Sequence, residues 1–94
     1  MKDRLLKNSK VWEWIGVENG RQVDKWGVQN RTPEEWYLFL AEEVGELAQA
    51  IGEWKYRKGK AENVAKEAMH SAVLALKICE MFMKETENVK KEAG

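Results

Sequence analysis

The sequence has few of the residues that cross-link chains or interrupt helices: one cysteine, one proline and one histidine among 94 residues. A single cysteine excludes an intrachain disulfide, and the apolar residues around Cys79 predict that it is a small core residue. No apolar run is long enough to cross a membrane and no signal peptide is recognisable, so we expect a cytoplasmic protein. No stretch alternates β-branched with polar residues, and nothing predicts a β-strand.

Neither acidic nor basic side chains are in excess. Sixteen basic and sixteen acidic side chains cancel to a formal net charge of zero at pH 7. Without a global basic field, the chain is not expected to bind the backbone of a nucleic acid or the surface of a membrane. A small phosphorylated ligand held by a local site remains compatible with this balance.

The helical spacing of apolar residues predicts an all-α fold, with about three helices per chain in a bundle that homo-oligomerisation completes. We expect one domain over residues 1–94, with a frayed tail at 88–94. The helices are expected from about Ser9 or Lys10 to Lys25, from Pro33 to about Arg57, and from about Ala61 to Glu87.

The second helix has the clearest end signals. Thr32 is predicted to be its N-cap, with Pro33 at the first helical position and Glu35 completing a capping box. Gly59, in the break that follows, is predicted to be the C-cap.

Apolar residues recur along the second helix at steps of three and four. They form one predicted stripe, and the third helix carries an apolar arc that is wider than one partner helix can cover. This width predicts self-association into a homodimer or tetramer. The stripe of the second helix consists of Leu40, Val44, Leu47, Ile51 and Trp54.

The second helix carries three carboxylates in one five-residue segment: Glu42, Glu43 and Glu46. Glu43 falls about 60–70° from the centre of the apolar stripe, where an ionised carboxylate is costly unless it is paired or binds a metal. On the third helix Glu67 also has apolar neighbours, and His70 follows at a spacing that lets both side chains converge. The pattern predicts a metal site between the two helices.

The donor types favour particular metals. Several carboxylates with at most one imidazole favour Mg²⁺ or Mn²⁺ over zinc. Magnesium held by carboxylates commonly binds phosphate oxygens, which indicates nucleotide chemistry. A carboxylate-bridged iron protein remains an alternative, because a symmetric dimer would supply a second imidazole.

Three segments carry a family resemblance: Lys25–Asn30, Thr32–Trp36 and Leu40–Ile51. They resemble the MazG-like, all-α nucleoside triphosphate pyrophosphohydrolases, and the resemblance covers about residues 18–83. That family is marked by Glu-Glu-x-x-Glu on one helix and Glu-x-x-Asp on the next. Here Glu42, Glu43 and Glu46 match the first motif and Glu67 begins the second, whereas His70 stands where the family has aspartate.

The resemblance implies Mg²⁺-dependent hydrolysis, with Mn²⁺ as a possible substitute, of a nucleoside or deoxynucleoside triphosphate to the monophosphate and pyrophosphate. It implies metal ligation by Glu43, Glu46 and Glu67, with His70 as a further candidate, and catalysis by Glu42 or Glu46 acting on water. The weaker candidates for substrate binding are Lys55, Arg57 and Lys58 for the pyrophosphate, and Trp26, Asn30 and Trp36 for the base or sugar.

His70 leaves the function open at this point. An imidazole can coordinate a metal but supplies no negative charge. The departure therefore allows an active variant, a changed metal preference, or a helical dimer that senses nucleotides without hydrolysing them.

Overall fold

The computed structural model describes the backbone of residues 5–28 and 30–93, and the side chains of 5–28 and 30–87. Three helices account for most of these residues: α1 (Ser9–Trp26), α2 (Pro33–Tyr56) and α3 (Ala61–Ala93). Within the described ranges there is no strand, which confirms the all-α prediction with three helices. None of the three helices, as far as they are described, has an apolar stretch of membrane-spanning length.

Polar caps set the start of the first two helices. The Asn8 side chain accepts a hydrogen bond of 3.0 Å from the backbone N–H of Lys10 and begins α1. At α2 the Thr32 hydroxyl accepts from the Glu35 N–H at 3.2 Å, and the Glu35 carboxylate accepts from the Thr32 N–H at 3.0 Å. This reciprocal pair confirms the predicted capping box.

The end of α2 differs from the prediction. Arg57, not Gly59, is the C-cap, and the left-handed residue is Lys58 with φ of 58°. The Gly59 N–H donates to the Glu53 carbonyl at 2.8 Å, so the chain folds back tightly over the last turn. A Cβ on Gly59 would lie 2.9 Å from the carbonyl carbon of Glu53, so glycine is needed there for close approach.

The third helix is longer than predicted. It ends at Ala93 rather than at Glu87. The side chains of residues 88–93 and the whole of Gly94 lie outside the described part, so fraying of the 88–94 tail stays a prediction.

Both α1 and α2 pack against α3. A four-residue connection folds α3 back against α2, and α1 packs on α3. Within the described residues, no Cα atom of α1 lies within 8 Å of a Cα atom of α2. The buried apolar side chains are few, because α3 is covered on the sides facing α1 and α2 and not elsewhere. They are Ala50, Met69, Val73 and Leu74.

The chain is more extended than a compact domain of its length. Its radius of gyration is 16.1 Å, against about 12 Å for 94 compactly packed residues. Val44, Ile51 and Trp54 of the predicted α2 stripe are about half exposed, because the described helices cover that face only in part. Cys79 is exposed for the same reason, so its prediction as a small core residue is wrong within one chain.

The tight turn after α2 can be tested with Gly59→Ala. The added methyl group would meet backbone atoms of Glu53, so we expect the free energy of unfolding to fall by about 1–3 kcal/mol. Urea denaturation followed by circular dichroism measures this change. Gly20→Ala is the control, because Gly20 lies inside α1 with open space around it and should gain about 0.5–1 kcal/mol. Equal effects of both substitutions would contradict this account of the turn.

Candidate metal centre

The packing of α3 against α2 brings together three of the predicted ligands. His70 Nδ1 lies 3.4 Å from Glu43 Oε2 and 3.5 Å from Glu67 Oε2. One donor atom from each of the three residues lies within 4.8 Å of the others. The imidazole is mostly buried, with 13% of the side chain exposed, so the cluster faces the interior rather than open solvent.

Two oxygen atoms of this cluster lack partners. Glu43 Oε2 and Glu67 Oε2 are both buried, and neither has a hydrogen-bond partner. Buried polar atoms are normally satisfied, so such a pair calls for a ligand or a proton. Adjacent ligands of an octahedral ion bound at about 2.1 Å are about 3 Å apart, and Nδ1 lies 3.4 and 3.5 Å from the two oxygens, so a small contraction would bring these donors to that spacing. The donor set therefore fits Mg²⁺ or Mn²⁺.

The surroundings of Glu43 disfavour an uncompensated negative charge on its carboxylate. Burial raises the pKa of Glu43 to about 7, helped by the neighbouring carboxylates of Glu67 and Glu46, which favour its protonated form. A divalent cation would reverse this preference, because it favours the ionised carboxylate. Glu46 itself is exposed and lies beside the cluster, one turn along α2, rather than among the three converging ligands.

The first helix adds a carboxylate that the sequence interpretation missed. Glu18 is 3% exposed, and its Oε1 lies 3.5 Å from Nε2 of His70. Arg21 donates to both Glu18 oxygens at 2.9 and 2.8 Å, and Gln22 donates to Oε2 at 2.8 Å. A sequence signal for this site was available, because Arg21 and Gln22 follow Glu18 at i+3 and i+4, a spacing that places both donors beside its carboxylate on one helix.

This network keeps Glu18 ionised. Burial acts to raise the pKa of Glu18, but hydrogen bonds from Arg21 and Gln22, with the charges of His70 and Arg21, outweigh it and lower the pKa. Lys77 of α3 extends the network, because its Nζ donates to Gln22 Oε1 at 2.8 Å. A chain of polar contacts thus ties α1 to α3 beside the cluster.

An aromatic cavity of about 210 Å³ adjoins the cluster. The guanidinium carbon of Arg31 lies 4.6 Å from the ring centroid of Phe39 and 5.9 Å from that of Trp36. Glu43 belongs both to the wall of this cavity and to the carboxylate–imidazole cluster. The full lining is Trp26, Arg31, Trp36, Phe39, Glu42, Glu43 and Leu74.

The cavity includes some of the predicted substrate-binding residues and leaves out others. Trp26 and Trp36 line it together with Glu42, whereas Asn30 is exposed in the α1–α2 connection and does not line it. Arg31 and Phe39 were not predicted, since nothing in the local sequence singles them out.

The basic residues Lys55, Arg57 and Lys58 lie at the C-terminal end of α2, away from the cluster. At 1.5 Å per residue, they are about 18 Å or more from Glu43 along the helix axis. Within one chain they are therefore remote from the cluster.

A comparison of this chain with known protein families, with curated proteins and with solved structures found no match. The resemblance to MazG-like enzymes over residues 18–83 therefore stays a prediction. The residues and their geometry carry the functional interpretation.

The raised pKa of Glu43 predicts that the free energy of unfolding of the metal-free protein depends on pH. The unfolded carboxyl loses its proton near pH 4.5 and the folded one near pH 7, so ionisation lowers stability progressively across this window. Glu43→Gln, which stays neutral, should therefore unfold at higher urea concentration than the parent at pH 8 and at the same concentration at pH 4. The gain at pH 8 should be at most about 3 kcal/mol.

The measurement is urea denaturation in EDTA at one protein concentration. Glu34→Gln is the control, because Glu34 is an exposed carboxylate of the same helix. A gain from Glu43→Gln that is equal at both pH values would contradict the assignment of the titration to Glu43.

Proposed function

We propose that the protein is a Mg²⁺-dependent nucleoside triphosphate pyrophosphohydrolase that converts a nucleoside or deoxynucleoside triphosphate and water to the monophosphate and pyrophosphate. The observation that supports this proposal is the double role of Glu43 in the cluster and in the cavity wall. A triphosphate at the cluster and a base in the aromatic cavity would be neighbours.

The cavity is suited to one planar ring system. Its volume of about 210 Å³ is below the roughly 300 Å³ at which ordinary ligand pockets begin, so it is too small for a whole nucleotide. Trp26 and Trp36 contribute aromatic side chains to its wall, and stacking of an aromatic ring on a base contributes about 1–3 kcal/mol. The Arg31 guanidinium adds hydrogen-bond donors at the same wall.

Glu43, Glu67 and His70 would hold the cation, with Glu46 beside them as a fourth candidate. When bound, Mg²⁺ supplies positive charge that neutralises the triphosphate and the leaving pyrophosphate. Glu42 and Glu46 are the candidates to orient or deprotonate the attacking water, because both are exposed carboxylates on the turns that carry Glu43.

The attack on the α-phosphorus breaks its bond to the oxygen bridging to the β-phosphate, and pyrophosphate leaves. Lys55, Arg57 and Lys58 would bind that pyrophosphate only if a second copy of the chain brought them to the cluster, since they are remote within one chain.

The activity is tested by incubating purified protein with a panel of nucleoside and deoxynucleoside triphosphates in Mg²⁺ or Mn²⁺. We expect release of pyrophosphate, and a loss of at least about a hundredfold in Glu43→Gln because the transition state loses an ionic ligand of the cation. Glu34→Gln, purified identically, should retain the parent rate.

Other outcomes favour the alternatives. Nucleotide binding without any hydrolysis would favour a sensing module in which His70 marks the loss of catalysis. Iron that remains bound through purification would favour a carboxylate-bridged iron protein. Full activity of Glu43→Gln would contradict the metal assignment.

We further propose that the chain works as a homodimer or tetramer. Its accessible surface is 7954 Å², against about 5600 Å² for a compact monomer of 10.9 kDa. Ile51 and Trp54 line an open apolar groove with residues of the start of α3. An exposed apolar groove on a chain with so much accessible surface is typical of an interface, so α2 and α3 of two copies would build a shared bundle.

The association is tested by light scattering at micromolar concentration, which should give at least twice the monomer mass. Ile51→Lys should lower the measured mass, because it buries a charge in the proposed interface. Gln49→Lys, an equal change in charge at an exposed polar residue of α2, should leave the mass unchanged. A folded parent protein that scatters as a monomer would contradict the proposal.

A further inference from the structure

We infer that Glu18 is a positioning residue for the metal site, which sets the tautomer and orientation of His70 so that Nδ1 faces the cation. The inference rests on the metal site of the proposed function. It concerns a residue of α1 that lies outside both acidic motifs, and it assigns Glu18 no contact with the cation or with substrate.

The two nitrogens of the imidazole face different groups. Nδ1 faces the unpartnered oxygens Glu43 Oε2 and Glu67 Oε2, at 3.4 and 3.5 Å. Nε2 faces Glu18 Oε1 at 3.5 Å. A neutral imidazole carries a proton on one nitrogen only, so Nδ1 can offer its lone pair only if the proton is on Nε2. At 3.5 Å this contact is longer than an ordinary hydrogen bond, and a shift of about 0.5 Å would let Glu18 accept that proton.

Glu18 is unusually well held for such a role. Arg21 donates to both of its oxygens, and Gln22 donates to Oε2. Gln22 is itself buried and accepts from Lys77. Among the described residues, Arg21 and Gln22 both donate to Glu18, so its carboxylate acts as an acceptor. Its carboxylate is fixed in direction by the two parallel bonds from Arg21.

Carboxylates that hydrogen-bond the outer nitrogen of a metal-binding histidine fix its tautomer and raise its basicity. A purely structural role is the competing explanation, because the same contact attaches α1 to α3. Both explanations place a proton on Nε2. They differ in how Glu18 affects the cation, because only positioning predicts that loss of Glu18 weakens metal binding through His70.

His70 is the only histidine in the chain, so its ring can be observed without interference from another. Two-bond ¹H–¹⁵N spectra of protein labelled in histidine report which nitrogen carries the proton. In the neutral ring of metal-free protein, and again with saturating Mg²⁺, we expect the proton on Nε2. A proton on Nδ1 in either sample, or a ring that stays protonated on both nitrogens in saturating Mg²⁺, would overturn the inference.

The energetic consequence is measured with Mn²⁺ alone, from the electron paramagnetic resonance signal of the free ion. Glu18→Gln should weaken Mn²⁺ binding about 10- to 100-fold and reduce the Nε2–H population. Glu13→Gln removes the same charge from an exposed position on α1 and should change neither quantity.

A double-mutant cycle separates positioning from other effects of Glu18. If Glu18 acts through His70, Glu18→Gln should have no further effect on Mn²⁺ affinity in a His70→Gln protein. An equal loss in both backgrounds would overturn the inference. If Glu18→Gln does not fold, a proton on Nδ1 in the wild-type spectrum would still overturn the inference.

Failure of this inference can be told apart from failure of the proposed function. Pyrophosphate release by a protein whose His70 carries its proton on Nδ1 would retain the function and remove the role of Glu18. Suppose instead that the protein hydrolyses no nucleotide, but its His70 carries the proton on Nε2 and the double-mutant cycle has the expected form. The role of Glu18 would then stand, and the proposed hydrolase activity would be wrong.

Discussion

The contact of one imidazole with three carboxylates is the interaction on which the site depends. Each helix contributes one of these carboxylates: Glu18 from α1, Glu43 from α2 and Glu67 from α3, which also carries His70. Charges this poorly hydrated are kept only where they are paired or bind a ligand. The relative position of all three helices therefore decides whether the cluster is a usable site or a source of instability.

The rest of the molecule offers little to offset that cost within a single chain. Of the side chains that the structure describes, four apolar ones are buried, while aromatic and aliphatic side chains on the outer faces of α2 and α3 are exposed. Replacing buried ionic groups with apolar ones commonly leaves a protein as stable or more stable, so the cluster is better explained by function than by stability. Cation binding and association would each stabilise the folded chain by mass action.

Periodicity and capping predicted the helices well and their environment poorly. The capping box of Thr32 and Glu35 is local, and its two hydrogen bonds formed as predicted. Cys79 and the α2 stripe were expected to be covered, but periodicity identifies an apolar face without identifying what packs on it. Gly59 was placed correctly in the turn but given the wrong role, because its close approach to Glu53 arises from chain reversal rather than from its own backbone angles.

The sequence by itself determined which residues are chemically unusual. Glu43, Glu67 and His70 stand out because helical geometry alone assigns each residue a direction on its helix, and these directions are apolar or marginal. Only the tertiary structure decided which of them meet. Glu18 became a neighbour of His70, and Arg31 a wall of the aromatic cavity, through the packing of α1 on α3 and the course of the α1–α2 connection. Contacts between side chains far apart in sequence depend on how helices cross, and no local pattern along the chain encodes that angle.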